Sequence, residues 1–218
     1  MDELIARARA LAGVELGLVA DALGHRVPPD ATRAKGWVGE VVEDALGAGA
    51  GSRPVPDFER LGVELKTVPV DARGRPREST YVTTFALGDV DEPHFSRTHL
   101  ARKLSHVLFV PVEARPELPI AVRRVGTPLS WRPDPETWAA LEQDWRAFQT
   151  RAARGEVDRI SSDLGEILQI RPKGADARDT TWAPGAAGER VRTMRRGFYL
   201  RPGFVLRLFE AAFLLPAP

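Results

Sequence analysis

The sequence predicts an α/β (α+β) fold: a central mixed β-sheet flanked by helices. Segments with apolar residues at every second position alternate with segments of helical spacing along the whole chain. At 218 residues the chain can bury one sizeable core, or two lobes sharing a cleft. A hydrophobic fraction of 43% and a charged fraction of 28% belong to an ordinary globular protein. No apolar run is long enough to span a bilayer; the most apolar stretch, 204–215, is broken by Arg207 and Glu210.

The elements follow in order. Residues 2–12 and 15–23 read as helices stopped by Gly13 and Gly24, and Pro28-Pro29 begins a loop. Over 36–46, Val38, Val41, Val42, Ala45 and Leu46 share one helical face. Glu40, Glu43 and Asp44 lie off that stripe, and periodicity does not choose among them. The small residues of 47–52 form a loop that lets backbone approach another group closely. Leu61, Val63 and Leu65 then alternate with Gly62, Glu64 and Lys66 as a strand. A turn at 71–76 around Gly74 leads to 78–87, rich in Thr, Tyr, Val and Phe, as its hairpin partner.

Residues 96–104 form a short helix, 106–112 and 120–125 are strands split by a proline-rich turn, and Asp134-Pro135-Glu136 opens a helix to about Arg154. Residues 167–171 make a strand, 174–188 a long loop without periodicity, 190–200 one or two strands, and 202–215 a final helix. No internal repeat or low-complexity linker interrupts this order, and one domain over residues 1–218 is expected.

The chemistry concentrates in Pro56-Asp57-Phe58-Glu59-Arg60-Leu61-Gly62-Val63-Glu64-Leu65-Lys66. Side chains two apart on a strand share a face, so Glu64 and Lys66 stand roughly 7 Å apart at ~3.3 Å per residue. Asp57 can approach that face from the preceding turn. Two acids able to hold a divalent cation, beside a lysine able to steer a water, suit metal-dependent phosphodiester hydrolysis. The same pattern also describes an amphipathic strand carrying a surface Glu–Lys pair.

Composition narrows the chemistry further. The 31 basic residues are 27 arginines and four lysines, Lys35, Lys66, Lys103 and Lys173. A chain that uses arginine for nearly every cation marks its lysines as candidates for chemistry or phosphate contact, because a compact ammonium differs from a planar guanidinium. Net charge is only +1, yet residues 189–207 hold six arginines against one acid, a local basic patch. With no cysteine, disulfides, thiol nucleophiles and cysteine-ligated zinc are excluded. His25, His94, His99 and His106 lack metal-ligand spacing, and no glycine-rich phosphate loop with a following lysine is present. The N-terminus lacks a basic-then-apolar leader, so a cytoplasmic location is expected.

Taken together, Lys35-Gly36-Trp37-Val38-Gly39, Gly47 to Ser52, Asp57-Phe58, Leu61 to Thr67, Pro69-Val70-Asp71 and Gly74-Arg75-Pro76 resemble the MutH family of DNA mismatch-repair endonucleases. So do Arg123-Arg124-Val125-Gly126, Gln169-Ile170-Arg171-Pro172-Lys173, Gly188-Glu189-Arg190 and Arg196-Gly197-Phe198-Tyr199-Leu200. The likeness runs from about Leu11 to Phe209.

The resemblance implies a restriction-endonuclease-like fold with two lobes around a DNA cleft. It implies magnesium-dependent nicking of the unmethylated strand at hemimethylated GATC sites by a monomer that MutL activates and MutS controls indirectly. Asp57 and Glu64 would be metal-binding acids, Lys66 the catalytic lysine and Glu43 a further active-site acid. Lys35, Lys103 and Lys173 would lie at or near DNA, Arg171-Pro172-Lys173 against the bases, and Glu78 and Tyr199 at the adenine and its methyl group. Tyr81 stands where the family has phenylalanine, and Arg195 where it often has proline or an apolar residue. Two other readings remain at this point: a type II restriction enzyme for GATC acting without repair partners, and a DNA-binding protein without catalysis. The C-terminal helix, with Phe204, Leu208 and Phe209, suits a MutL-facing surface, a lever over the cleft, or plain core packing.

Overall fold

The computed structural model describes residues 1–29, 36–51, 53, 55–87, 93–161, 163–173 and 178–213. It divides into two compact units, Met1–Glu78 with Ser105–Arg132 and Val205–Pro218, and Ser79–Leu104 with Pro133–Phe204.

In the first unit a mixed sheet is built from β1 (Glu64–Val70), β3 (Val107–Glu113) and β4 (Leu129–Trp131) in the order β1-β3-β4. β1 runs parallel to β3, pairing Glu64 with Val107 and Lys66 with Phe109, and β4 runs antiparallel. Three helices, α1 (Asp2–Ala10), α2 (Leu16–Ala22) and α3 (Trp37–Leu46), share one core with the sheet. Leu4, Ala8, Leu16, Val41 and Leu46 meet Leu65, Leu108 and Val110 there. Phe109, whose side chain alternates to the opposite face from Leu108, packs edge-on against Phe209 of α6 (Pro202–Phe213) at 6.2 Å between ring centres. Helices therefore cover both faces.

The second unit centres on an antiparallel sheet in the order β2-β8-β5, formed by β2 (Thr80–Thr84), β8 (Arg196–Leu200) and β5 (Leu168–Pro172). Around it lie α4 (His99–Leu104) and α5 (Pro135–Ala153). Asp134 caps α5 by accepting from Thr137 N–H, with Pro135 in the first turn, as its sequence predicts. Between β5 and β8 the chain makes a separate hairpin, β6 (Thr180–Pro184) with β7 (Arg190–Met194).

The mixed sheet flanked by helices is thus present, and four departures from the expected elements have physical causes. First, residues 78–87 do not return as a hairpin on β1. A short loop closes through Arg77 N–H to Pro69 O, and β2 pairs with β8 instead. Periodicity assigns faces and not partners, and Pro69 offers no N–H to a neighbour on the outer side of β1. Second, the strand expected at 120–125 is a 3-10 turn at Ile120–Val122, after which Arg124 and Val125 make single bridges to Glu15 and Val112. Third, part of the loop expected at 174–188 is β6, whose Thr180, Thr181 and Trp182 favour extended backbone; residues 174–177 lie outside the described residues. Fourth, β4 is three residues long, too short for alternation to reveal.

Candidate active site and nucleic-acid interface

The stretch 57–66 folds into a device that gathers its charged groups. Phe58 N–H donates to Val63 O at 2.9 Å, a 3-10 turn covers Glu59–Leu61, and Gly62 takes the left-handed conformation (φ 62°) that closes the loop. Asp57 is thereby folded back beside β1, where its Oδ2 accepts from Leu65 N–H at 2.8 Å. Glu64 N–H donates the other way, to His106 O, so Leu65 N–H faces the open edge of the sheet and Asp57 satisfies it.

Glu64 and Lys66 share a face, and Lys66 Nζ donates to Glu64 Oε1 at 2.6 Å. Glu64 is 1% exposed and the Lys66 side chain 15%, so this is no surface pair. Of the three acids on α3 that periodicity did not separate, Glu40 and Asp44 are exposed and only Glu43 is half-buried. A Cβ added at Gly39, one turn earlier, would meet both Glu43 Oε1 (3.8 Å) and Thr67 Oγ1 (3.9 Å), which sets the Glu43 carboxyl next to β1. Burial pushes its pKa above the ordinary value of 4.5, the Asp57 carboxylate pushes the same way, and Lys66 opposes them. Glu43, Asp57, Glu64 and Lys66 therefore form one electrostatic group within the first unit. Among the described residues, no three acidic or histidine side chains converge closely enough to enclose an ion.

Glu78 is exposed at the end of the same unit, and Lys35 lies outside the described residues.

The second unit brings another set together. Across β2-β8-β5, Tyr199 faces Tyr81 on one side and Gln169 on the other, and Arg171 faces Gly197. Tyr81 and Tyr199 meet edge-on at 5.3 Å, Lys173 Nζ lies 3.1 Å above the Tyr81 ring, and Arg171 stands 5.9 Å from the Tyr199 ring while donating to Ser79 Oγ at 2.6 Å. A side chain at Gly197 would come within 2.8 Å of the Tyr81 ring, so glycine there is what admits the tyrosine. The Tyr81 hydroxyl bonds with Thr84 Oγ1 at 3.2 Å. Arg171, Pro172 and Lys173 are exposed, and Lys103 is half-buried in the last turn of α4.

Three residues that position this set were not singled out from sequence for that role. Asp144 of α5, 5% exposed, accepts from Glu166, Ile167 and Leu168 N–H, each at 2.8 Å, and so fixes the start of β5. Its signal was readable, since Asp144 falls on the buried stripe of Leu141, Trp145 and Phe148. Arg195 pairs with Asp179 at 2.6 Å and its carbonyl accepts from Lys173 N–H, tying the base of the β6–β7 hairpin to the end of β5. Asp158 accepts from Thr193 Oγ1 and Arg196, and these bonds hold its pKa below the ordinary carboxylate value. Phe204 and Phe209 of α6 are buried, so neither is available as a docking side chain.

Comparison with known proteins supplies the family. Residues 46–144, which include Asp57, Glu64, Lys66 and Lys103, match the family model of the DNA mismatch repair enzyme MutH. A DNA mismatch repair protein MutH from Klebsiella pneumoniae is 45% identical over 214 residues, covering 98% of this chain and 93% of the relative. Proteins of the same name from Shewanella woodyi (43% over 213 residues, 98% and 92% covered) and Vibrio cholerae serotype O1 (44% over 208 residues, 95% and 94%) are similar throughout. With identity at that level across nearly its whole length, the chain belongs to the MutH family of DNA mismatch repair enzymes.

Proposed function

We propose that this chain is a magnesium-dependent endonuclease that nicks the unmethylated strand at hemimethylated GATC sites in methyl-directed mismatch repair, switched on by MutL in response to MutS. The observation that carries the reading is the buried Glu64–Lys66 contact at 2.6 Å, with Asp57 folded against the same strand and Glu43 coupled to both Asp57 and Lys66. A surface ion pair needs no such burial and no second and third acid.

No three acidic or histidine side chains of the described residues converge to enclose an ion, and magnesium suits such an open set: it takes oxygen from one or two carboxylates and keeps several waters, through which a further carboxylate can act. Burial and the Asp57 carboxylate both disfavour the charge on Glu43, which is the electrostatics of a cation site. Glu43, Asp57 and Glu64 would hold the ion, which when bound polarises the scissile phosphate and lowers the pKa of a bound water. Lys66 orients the attacking water or stabilises charge developing on the phosphate, and it holds the Glu64 carboxylate in place. Arg171 offers a planar fork suited to guanine O6 and N7, Lys173 a phosphate or base contact, and Tyr199, backed by Tyr81, a surface for the adenine methyl group; Glu78 adds an acceptor for the adenine. Lys35 and Lys103 contribute phosphate contacts. The enzyme acts as a monomer in the cytoplasm; no helix among the described residues is long and apolar enough to cross a membrane.

The deciding experiment gives the purified protein magnesium and a hemimethylated GATC duplex, with and without MutL. Weak nicking of the unmethylated strand that MutL increases is expected. Strong unassisted cutting of both strands of unmethylated DNA would make the protein a type II restriction endonuclease instead.

A further inference from the structure

The β6–β7 hairpin carries a feature that neither the active site nor the base-reading sheet uses. Its inner face is formed by Ala183 and Thr193, both 4% exposed, with Thr181 and Val191 half-buried beside them. On the outer face stands Trp182, 48% exposed, directly opposite Arg192 and diagonal to Arg190. The Arg192 guanidinium lies 4.9 Å from the indole ring and the Arg190 guanidinium 5.1 Å.

Two like charges gathered at one ring repel each other, and among the described residues no carboxylate pairs with either arginine. Glu189, adjacent to Arg190, is turned back into its own turn, where Oε2 accepts from Ala187 N–H at 2.9 Å. Asp179 and Asp158 are engaged with Arg195 and Arg196. Both guanidinium groups lie over the Trp182 ring at cation–π distance with no carboxylate among the described residues to pair them, an arrangement completed by an external anion.

We propose that the Trp182–Arg190–Arg192 face is a contact for the phosphate backbone of duplex DNA flanking the recognition sequence. The partner follows from charge and from continuity: β7 leads through Arg195 into the strand that carries Tyr199, and the Arg195 carbonyl accepts from the N–H of Lys173, which follows Arg171-Pro172. The hairpin is thus carried by the two strands assigned to the bases, and this assignment rests on the proposed DNA-cutting function. Phosphate contacts position a protein without reading sequence, and each adds about 0.9 to the slope of log affinity against log salt.

The test compares the full chain with an Arg190→Gln, Arg192→Gln variant, both of whose altered side chains are exposed. Binding is measured across a salt series on a long duplex and on a short one that ends close to the GATC site, and nicking is measured on both. On the long duplex the variant's slope should fall by about 2, so that a fourfold rise in salt costs it roughly tenfold less affinity than it costs the parent. On the short duplex the two should bind and nick alike, which also reports an intact fold. A Trp182→Ala variant, which keeps both charges, should retain most of the slope but bind the long duplex more weakly. Equal slopes on the long duplex overturn the proposal. So does a variant that binds DNA normally but loses MutL stimulation, which would assign the face to a protein partner. Failure of the parent to nick at GATC, with the slope difference intact, would remove the proposed function and leave the hairpin contact standing.

Discussion

Replacing Lys66 with alanine leaves Glu64, at 1% exposure, buried without the ammonium that neutralises it. Breaking a pair of this kind costs about 3 kcal/mol, near the lower end for buried pairs because Lys66 keeps some solvent contact. In a chain of this size that lowers Tm by roughly 6–12 °C. Nicking should fall by about 10²–10³-fold as well, the usual cost of one group that stabilises developing charge. The double variant Glu64→Gln, Lys66→Met separates the effects: calorimetry should show Tm largely recovered while nicking stays lost. Normal cleavage by Lys66→Ala would show the assignment to be wrong. Glu43 gives a pH signature of opposite sign. Its folded pKa is raised, so the ionised carboxylate opposes folding, and that penalty grows from about the ordinary value of 4.5 upward and is complete above the folded pKa. Glu43→Gln should therefore raise Tm at neutral pH, by an amount that vanishes as pH falls below 4.5, while nicking is lost. In the parent, a bound cation opposes that shift, so added magnesium should move the acid limb of the nicking profile to lower pH.

At the scale of elements, one aspartate holds the start of β5. Asp144→Ala strands the buried N–H groups of Ile167 and Leu168 and frees the part-buried one of Glu166, and with about 1–3 kcal/mol for each buried group the urea midpoint should reflect a loss of at least about 2 kcal/mol. Asp144→Asn keeps one acceptor oxygen and should lose less. Because β5 carries Arg171, discrimination between GATC and sites altered by one base should weaken at temperatures where the variant remains folded. The sequence disclosed helices and strands wherever an apolar stripe was long enough, as in α3, α5 and β1. It also disclosed Asp57, Glu64 and Lys66 as a group, because all three lie within ten residues of chain. It left Glu43 undecided among three acids, because the choice depends on β1 lying beside α3, a contact no local pattern encodes. The same limit hid the partner of β2 and the tie from Arg195 to Asp179, which a change from an apolar residue to arginine did not announce.

Over the whole molecule, neither compact unit is a continuous piece of chain. The first unit is assembled from residues 1–78, 105–132 and 205–218, and the parallel partner of β1 arrives only after the chain has passed through residues 79–104. A fragment ending at Glu78 carries Glu43, Asp57, Glu64 and Lys66 yet lacks β3. It should show no cooperative thermal transition by circular dichroism, whereas a fold that tolerated the cut would melt sharply. The same threading orders events during synthesis. The residues assigned to cutting leave the ribosome before β3, which follows Lys66 by some forty residues, and Phe209, which packs on Phe109, emerges about a hundred residues further on. A nascent chain that carries Glu43, Asp57, Glu64 and Lys66 but not yet β3 therefore has no partner strand to hold Glu64 and Lys66 in register.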